Sequence, residues 1–157
     1  MASDTREQFL DTAETLFSER GFYGVSIAAI ANELGLTKQA LLHHFGSKEK
    51  LYGEVLKRIS NQFAALESKT TRDEAAPADR LKAYLLKLHA PFGSGAAPTR
   101  LLMREVLDNK RRADTAGTWY LKPFLDRLTQ MVRTIPNWRE ASDVEAFAMV
   151  YQLLGAI

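Results

Sequence analysis

Apolar residues return every three or four positions along almost the whole chain, and no alternating apolar–polar run persists. The fold class this predicts is all-α. Phe9, Leu10, Ala13, Leu16 and Phe17 share one face of a first helix, with Asp4 or Thr5 as its cap and Glu7 placed for a capping box with Asp4. Gly21 after Arg20 supplies a left-handed stop. Ser26 caps a short second helix reaching Leu34, with Ile27, Ile30, Ala31 and Leu34 inward. Gly35-Leu36 turns the chain, and Thr37 caps a third short helix carrying Ala40, Leu41 and Phe45. After Gly46, Ser47 caps a long fourth helix with Leu51, Tyr52, Val55, Leu56, Ile59, Phe63 and Leu66 inward.

The polar stretch 69–78 holds Pro77 and reads as a loop. Leu81, Tyr84, Leu85, Leu88 and Phe92 mark a fifth helix ending near Pro91. Pro98 opens a sixth through Leu101, Leu102, Val106 and Leu107. Residues 109–117 are charged and give no clear period. A seventh helix is expected over 119–135 with Pro123 near its start, and Pro136-Asn137 breaks it. Ser142 caps a last helix over 143–157. That helix is apolar nearly all round, so it should be buried. Its end at Ile157 has two readings: a chain that continues, or a helix exposed to a partner.

Residues 26–45 carry the chemistry. Two helices of two or three turns flank a very short turn, which crosses them steeply, as a DNA-reading helix-turn-helix requires. Ala31 is small where the helices must approach. Thr37, Lys38, Gln39, His43 and His44 stay polar on the second of the pair. Lys38 and Gln39 near its start can reach base edges in the major groove, where all four base pairs are distinguishable. Lys48 opens the next helix, so its ammonium and the free backbone N–H groups there can hold one phosphate together. The bland alternative is that a Lys or Gln on a short helix is simply solvated, and that His44 is a buried histidine bonded to backbone. Tyr52 reads as core.

Composition changes this picture little. The 157 residues are 46% hydrophobic and 25% charged, enough for a sizeable core. There is no Cys, which excludes a disulfide framework and cysteine-based metal or redox sites. No apolar run has transmembrane length, and a cytoplasmic location is expected. The net charge of +2 does not itself argue for nucleic acid. Residues 38–58, however, hold Lys38, Lys48, Lys50, Lys57 and Arg58 against Glu49 and Glu54, which permits a locally basic edge. His43 and His44 point about 100° apart on a helix and have no third ligand nearby, so no metal site is read there. No Gly-rich phosphate loop or HExxH is present, and Glu105 with Asp108 is too common a helical pair to suggest catalysis. The expectation is a non-enzyme without cofactor.

The stretches Phe9-Leu10-Asp11-Thr12-Ala13, Gly21-Phe22, Ser26 to Ala31, Leu34-Gly35-Leu36-Thr37 and Leu42 to Tyr52 together resemble the tetracycline-repressor-like (TetR/AcrR) family, over about residues 6–58. The resemblance implies a helix-turn-helix unit over 1–47 and a helical ligand-sensing and dimerisation domain over 48–157, possessing a long linking helix. It implies Ser26, His44 and Lys48 as phosphate anchors, with Thr37, Lys38, Gln39 and His43 facing the groove or its edge. Leu42 departs from the pattern. The family usually has a Tyr there that touches a phosphate.

The remaining expectations follow from that resemblance: a ligand-responsive repressor, homodimeric on a palindromic double-stranded DNA operator, with an unidentified small-molecule effector and no membrane partner. The alternative is a helical adaptor with a weakened helix-turn-helix. His89, Phe92, Leu102, Met103, Trp119, Tyr120, Phe124 and Met131 are candidates for an effector pocket between helices, although a helical core contains such residues in any case. Arg104, Glu105 and Asn109 either orient a polar ligand group or form surface or interhelix pairs.

Overall fold

The computed structural model describes residues 2–68, 76–89, 97–116 and 120–156, with side chains described for 4–66, 76–88, 97–106 and 120–156. Among these residues there are helices and turns and no strand. The order is α1 (Ala2–Arg20), α2 (Ile27–Glu33), α3 (Lys38–Phe45), α4 (Lys48–Ser68), α5 (Pro77–His89), α6 (Ala97–Ala116), α7 (Lys122–Arg133) and α8 (Asp143–Gly155). A single 3-10 turn, Pro136–Trp138, separates the last two.

Several boundaries differ from the sequence expectation. α1 starts at Ala2, so Asp4 lies inside its first turn, where its charge suits the positive helix end. α5 starts at Pro77, inside the expected loop. Proline fits a first helical position because the N–H it lacks would have no intrahelical partner there. α6 runs on through the charged stretch to Ala116. α7 begins at Lys122 instead of 119. A helix begun at 119 would bring the Pro123 ring against the carbonyl four residues back. Ser142 caps α8 as expected and is joined by Glu145 in a full capping box. Phe92, Trp119 and the side chain of His89 lie outside the described residues.

α8 corrects the expectation of full burial. Ala146, Val150 and Leu154 are buried, but Val144 is 79% exposed, because the described residues cover only one face of the helix. α7 and α8 border an open groove of about 900 Å³ that Val144, Phe147 and Tyr151 help to line.

One apolar core runs from Phe9 and Phe17 in α1, through Leu51, Val55, Ile59 and Phe63 in α4, to Leu125 in α7 and Leu154 in α8. α4 packs on α1 and α3 near its start and on α5 and α7 further along. α1 also packs directly on α6. There the Arg104 guanidinium donates to the carbonyls of Ser18 (3.1 Å) and Glu19 (2.9 Å), filling acceptors that the end of α1 leaves open. The neighbouring Glu105, buried, accepts from the Tyr52 hydroxyl of α4 at 2.5 Å. Consecutive residues of α6 therefore hold α1 and α4, and the interhelix reading of Arg104 and Glu105 is the one the structure bears out. The Asn109 side chain lies outside the described residues.

The Arg104 contact has a measurable consequence. Arg104→Met keeps much of the stem and removes both bonds. Stability is expected to fall by about 1–3 kcal/mol, the range for bonds to a charged group and for acceptors left open. Amide exchange at the end of α1 should accelerate. Unchanged exchange there would show that α1 is held without Arg104.

Candidate nucleic-acid interface

α2 and α3 are set by their caps and by Gly35. Ser26 Oγ accepts from the Ala29 N–H at 3.0 Å, and Thr37 Oγ1 accepts from the Ala40 N–H at 3.1 Å. Gly35 takes φ +65°, and the Leu36 N–H reaches back to the Ala31 carbonyl at 2.9 Å, closing the turn. Ala31, Ile30, Leu41 and Phe45 are buried beneath it, with Ile27, Leu34 and Leu36 half-buried at the margin. Each capping hydroxyl spends a lone pair on a backbone N–H and keeps its own O–H to donate outward.

The outer surface of α3 is polar, as expected: Thr37, Lys38, Gln39 and His43 are all exposed. His44 is half-buried. Its ring leans on Phe9 with centroids 5.8 Å apart, so it faces the α1 side rather than standing free in solvent. Leu42 is also half-buried, but it does not join the core cluster. Leu42→Tyr is expected to tighten DNA binding about 3- to 10-fold on all sequences, the worth of one exposed hydrogen bond to phosphate. Titration of matched and scrambled duplexes, beside a melting curve, checks it. Lower stability without tighter binding would make Leu42 a packing residue.

Beside α3 lies a concavity of about 520 Å³ lined by the 23–29 segment together with Lys38 and Lys48. The Lys48 ammonium sits 4.3 Å from the centre of the Phe22 ring, an attraction of cation for π-face that holds it at the edge of this hollow. Burial lowers its pKa from the ordinary lysine value, and the nearby Glu49 charge only partly offsets this. Sequence reasoning gave Phe22 no role. An aromatic next to a helix-stop glycine is the only signal, and it does not say which cation the ring will meet.

The start of α4 is less open than expected. The Lys50 N–H is taken by Ser47 Oγ at 3.2 Å. The Glu49 carboxylate is held below its usual pKa by its own backbone N–H first and the Ser47 hydroxyl second. An incoming phosphate must compete with that carboxylate for the first-turn amides. The local basic edge is also narrower than the count over 38–58 suggests. Arg58 turns to α1, meeting Glu14 at 2.6 Å and Asp11 at 2.7 Å. Burial alone would lower its pKa, but the bonds to Glu14 and Asp11 outweigh burial and raise it. Glu54 likewise pairs with Arg6 at 3.1 Å. Lys38 and Lys48 are the cations that line the hollow.

A cation-edged helix-turn-helix of this shape has known counterparts. Residues 9–55 match the family model described as bacterial regulatory proteins, tetR family. The HTH-type transcriptional regulator RutR of Escherichia coli strain K12 is 32% identical over 131 residues, 83% of this chain and 61% of RutR. The helix-turn-helix segment of the chain is that of the tetR family. A second relative, the HTH-type transcriptional repressor KstR2 of Rhodococcus jostii, is 42% identical over 55 residues, 35% of this chain and 27% of that protein. In three dimensions, a TetR-like transcriptional regulator from Rhodococcus sp. RHA1 aligns with a TM-score of 0.70 at 22% identity, over 96% of this chain and 79% of that one. That last likeness concerns the fold. The chain thus spans about 61% of the length of the first curated relatives it matches, and the tetR signature lies on α1 to α4.

The effector-pocket candidates sit mostly in packing. Leu102 and Phe124 are buried in the core, the latter with its ring 5.0 Å from Phe63. Met103, Tyr120 and Met131 are half-buried against it. Tyr120 lies over Gly53 of α4, so closely that a Cβ at position 53 would fall 2.4 Å from the ring. The concavities lined by described residues include the hollow beside α3, the α7–α8 groove, and a charged cleft between α1 and α4. None of these takes in Leu102, Met103, Tyr120, Phe124 or Met131. No helix among the described residues is long and apolar enough to cross a membrane.

Proposed function

We propose that the protein is a sequence-specific DNA-binding transcriptional regulator, a ligand-responsive repressor that acts as a homodimer on a palindromic operator in the cytoplasm. The observation that carries this reading is the polar outer face of α3 beside a hollow edged by Lys38 and Lys48, on a tetR-family helix-turn-helix. Ser26, His44 and Lys48 hold phosphates and set register. Thr37, Lys38, Gln39 and His43 face the groove or its edge. The dimer reading draws on the uncovered apolar side of α8, where Val144 is exposed and Phe147 and Tyr151 border the groove with α7. In such a dimer two copies of α3 stand about 34–36 Å apart, one helical turn of DNA, or somewhat more.

The effector enters between helices of the region 48–157 and acts by moving α4. Support for that lever is mechanical. The start of α4 carries Lys48, its second turn lies under Tyr120 at Gly53, and its side is tied to α6 through Tyr52 and Glu105. A coupling of about 1–3 kcal/mol would change operator affinity about 5- to 150-fold.

Selection of bound duplexes from a random pool with purified protein tests the reading. The expected outcome is a palindromic consensus whose binding weakens steeply with salt. Recovery of no consensus, with binding indifferent to salt, would leave the helix-turn-helix as a structural relic and favour the adaptor.

A further inference from the structure

The six residues between α1 and α2 hold a side chain that no DNA-contact reading so far uses. Gly21 takes φ +72°, which lets the chain leave α1 sharply. Gly24 lies so close to the end of α1 that a Cβ there would fall 2.3 Å from the Arg20 carbonyl oxygen. These two glycines fix the turn and carry Tyr23 on its outside, 80% exposed. Its ring meets Phe22 edge-on, with centroids 5.2 Å apart and planes at 83°. The same Phe22 ring carries the Lys48 ammonium. Tyr23 and Lys48 therefore stand around one aromatic support, and both line the hollow that also takes in Ser26 and Lys38. The Tyr23 hydroxyl makes no hydrogen bond to any described residue.

We propose that Tyr23 is a further DNA-positioning residue, its phenol O–H donating to a backbone phosphate that Lys48 also holds across the shared hollow. The proposal rests on the DNA-binding reading above and deepens it. An exposed ring braced on a buried-edge aromatic loses little rotational freedom when its hydroxyl is engaged, because it has only two side-chain torsions and one is already limited by Phe22. A phenol is a neutral donor, so it adds a bond to phosphate without releasing a counterion.

Tyr23→Phe removes the hydroxyl and keeps the ring against Phe22. With a duplex recovered by selection and a scrambled duplex of equal length, both affinities are expected to fall about 3- to 10-fold, the worth of one exposed hydrogen bond to phosphate. The salt slope and the melting temperature should stay as in the wild type, since no charge and no buried surface is lost. Unchanged affinity in Tyr23→Phe overturns the proposal. A loss confined to the selected duplex, or one accompanied by a lower melting temperature, overturns it too, the first pointing to base reading and the second to packing. If the wild type binds neither duplex, the DNA reading falls and takes this inference with it. Retained wild-type binding with an unaffected variant removes only the role of Tyr23.

Discussion

Phe63→Ala is expected to cost about 3–5 kcal/mol of stability, the largest effect of any single change considered for this chain. Phe63 is completely buried. Its ring lies against Phe124 of α7, and the Tyr84 hydroxyl of α5 donates to its backbone carbonyl at 2.9 Å. It stands where α4 meets both of those helices. Truncation leaves a cavity that three helices cannot close together without bending. Total stabilities of about 5–15 kcal/mol leave little in reserve after such a loss. Because the core is continuous from Phe9 to Leu154, the variant should still unfold in one transition, at a much lower urea midpoint. Leu86→Ala, at a position 57% exposed, is the control and should stay within about 0.5 kcal/mol. Circular dichroism and Trp138 fluorescence during urea unfolding check both. Two separated transitions would mean that the residues up to 47 fold as a unit of their own.

The second large effect falls on affinity. Lys48→Ala should weaken binding to every duplex about 10- to 150-fold, the worth of a charge-assisted bond of about 1.5–3 kcal/mol. The dependence on salt should become shallower by about one unit, since one fewer counterion is released. Gln39→Ala, by contrast, should change which sequences are preferred, because Gln39 is exposed near the start of α3. Lys48 also gives binding a pH dependence. Burial lowers its pKa, so its charge is lost at lower pH than that of an exposed lysine. As pH rises through the lowered value, the phosphate attraction fades while other lysines remain charged. Lys48→Arg, which stays protonated, should hold its affinity further into alkaline buffer. For folding the sign is opposite. Between the lowered folded value and the ordinary one the unfolded chain binds more protons, so this group favours the fold more as pH rises. Titrations across salt and across alkaline pH test both halves. An altered sequence preference in Lys48→Ala with an unchanged salt slope would reverse the roles given to Lys48 and Gln39.

Much of the interface was legible before any coordinates. Ser26, Thr37, Ser47 and Ser142 cap the helices that their positions announced, because a capping oxygen acts within three residues of itself. Gly21, Gly35 and Gly46 all take positive φ where the apolar period breaks. The outward face of α3 follows from the same period, since Leu41 and Phe45 turn inward and leave Lys38, Gln39 and His43 in solvent. The tetR signature over 9–55 is likewise a local pattern.

Tertiary structure decided the rest, because it depends on partners far away in the chain. Nothing near Arg58 in sequence announces that it turns from the basic edge to Glu14 and Asp11, 44 and 47 positions earlier. Nothing near Arg104 predicts that it will close the end of α1, or that Glu105 will take the hydroxyl of Tyr52. The lysine that edges the hollow was visible, but the Phe22 ring beneath it and the Glu49 carboxylate competing at the same helix start were not. Periodicity tells which side of a helix faces inward. Which helix waits there, and which charge is thereby spent or left for a ligand, is determined only when distant segments share one core.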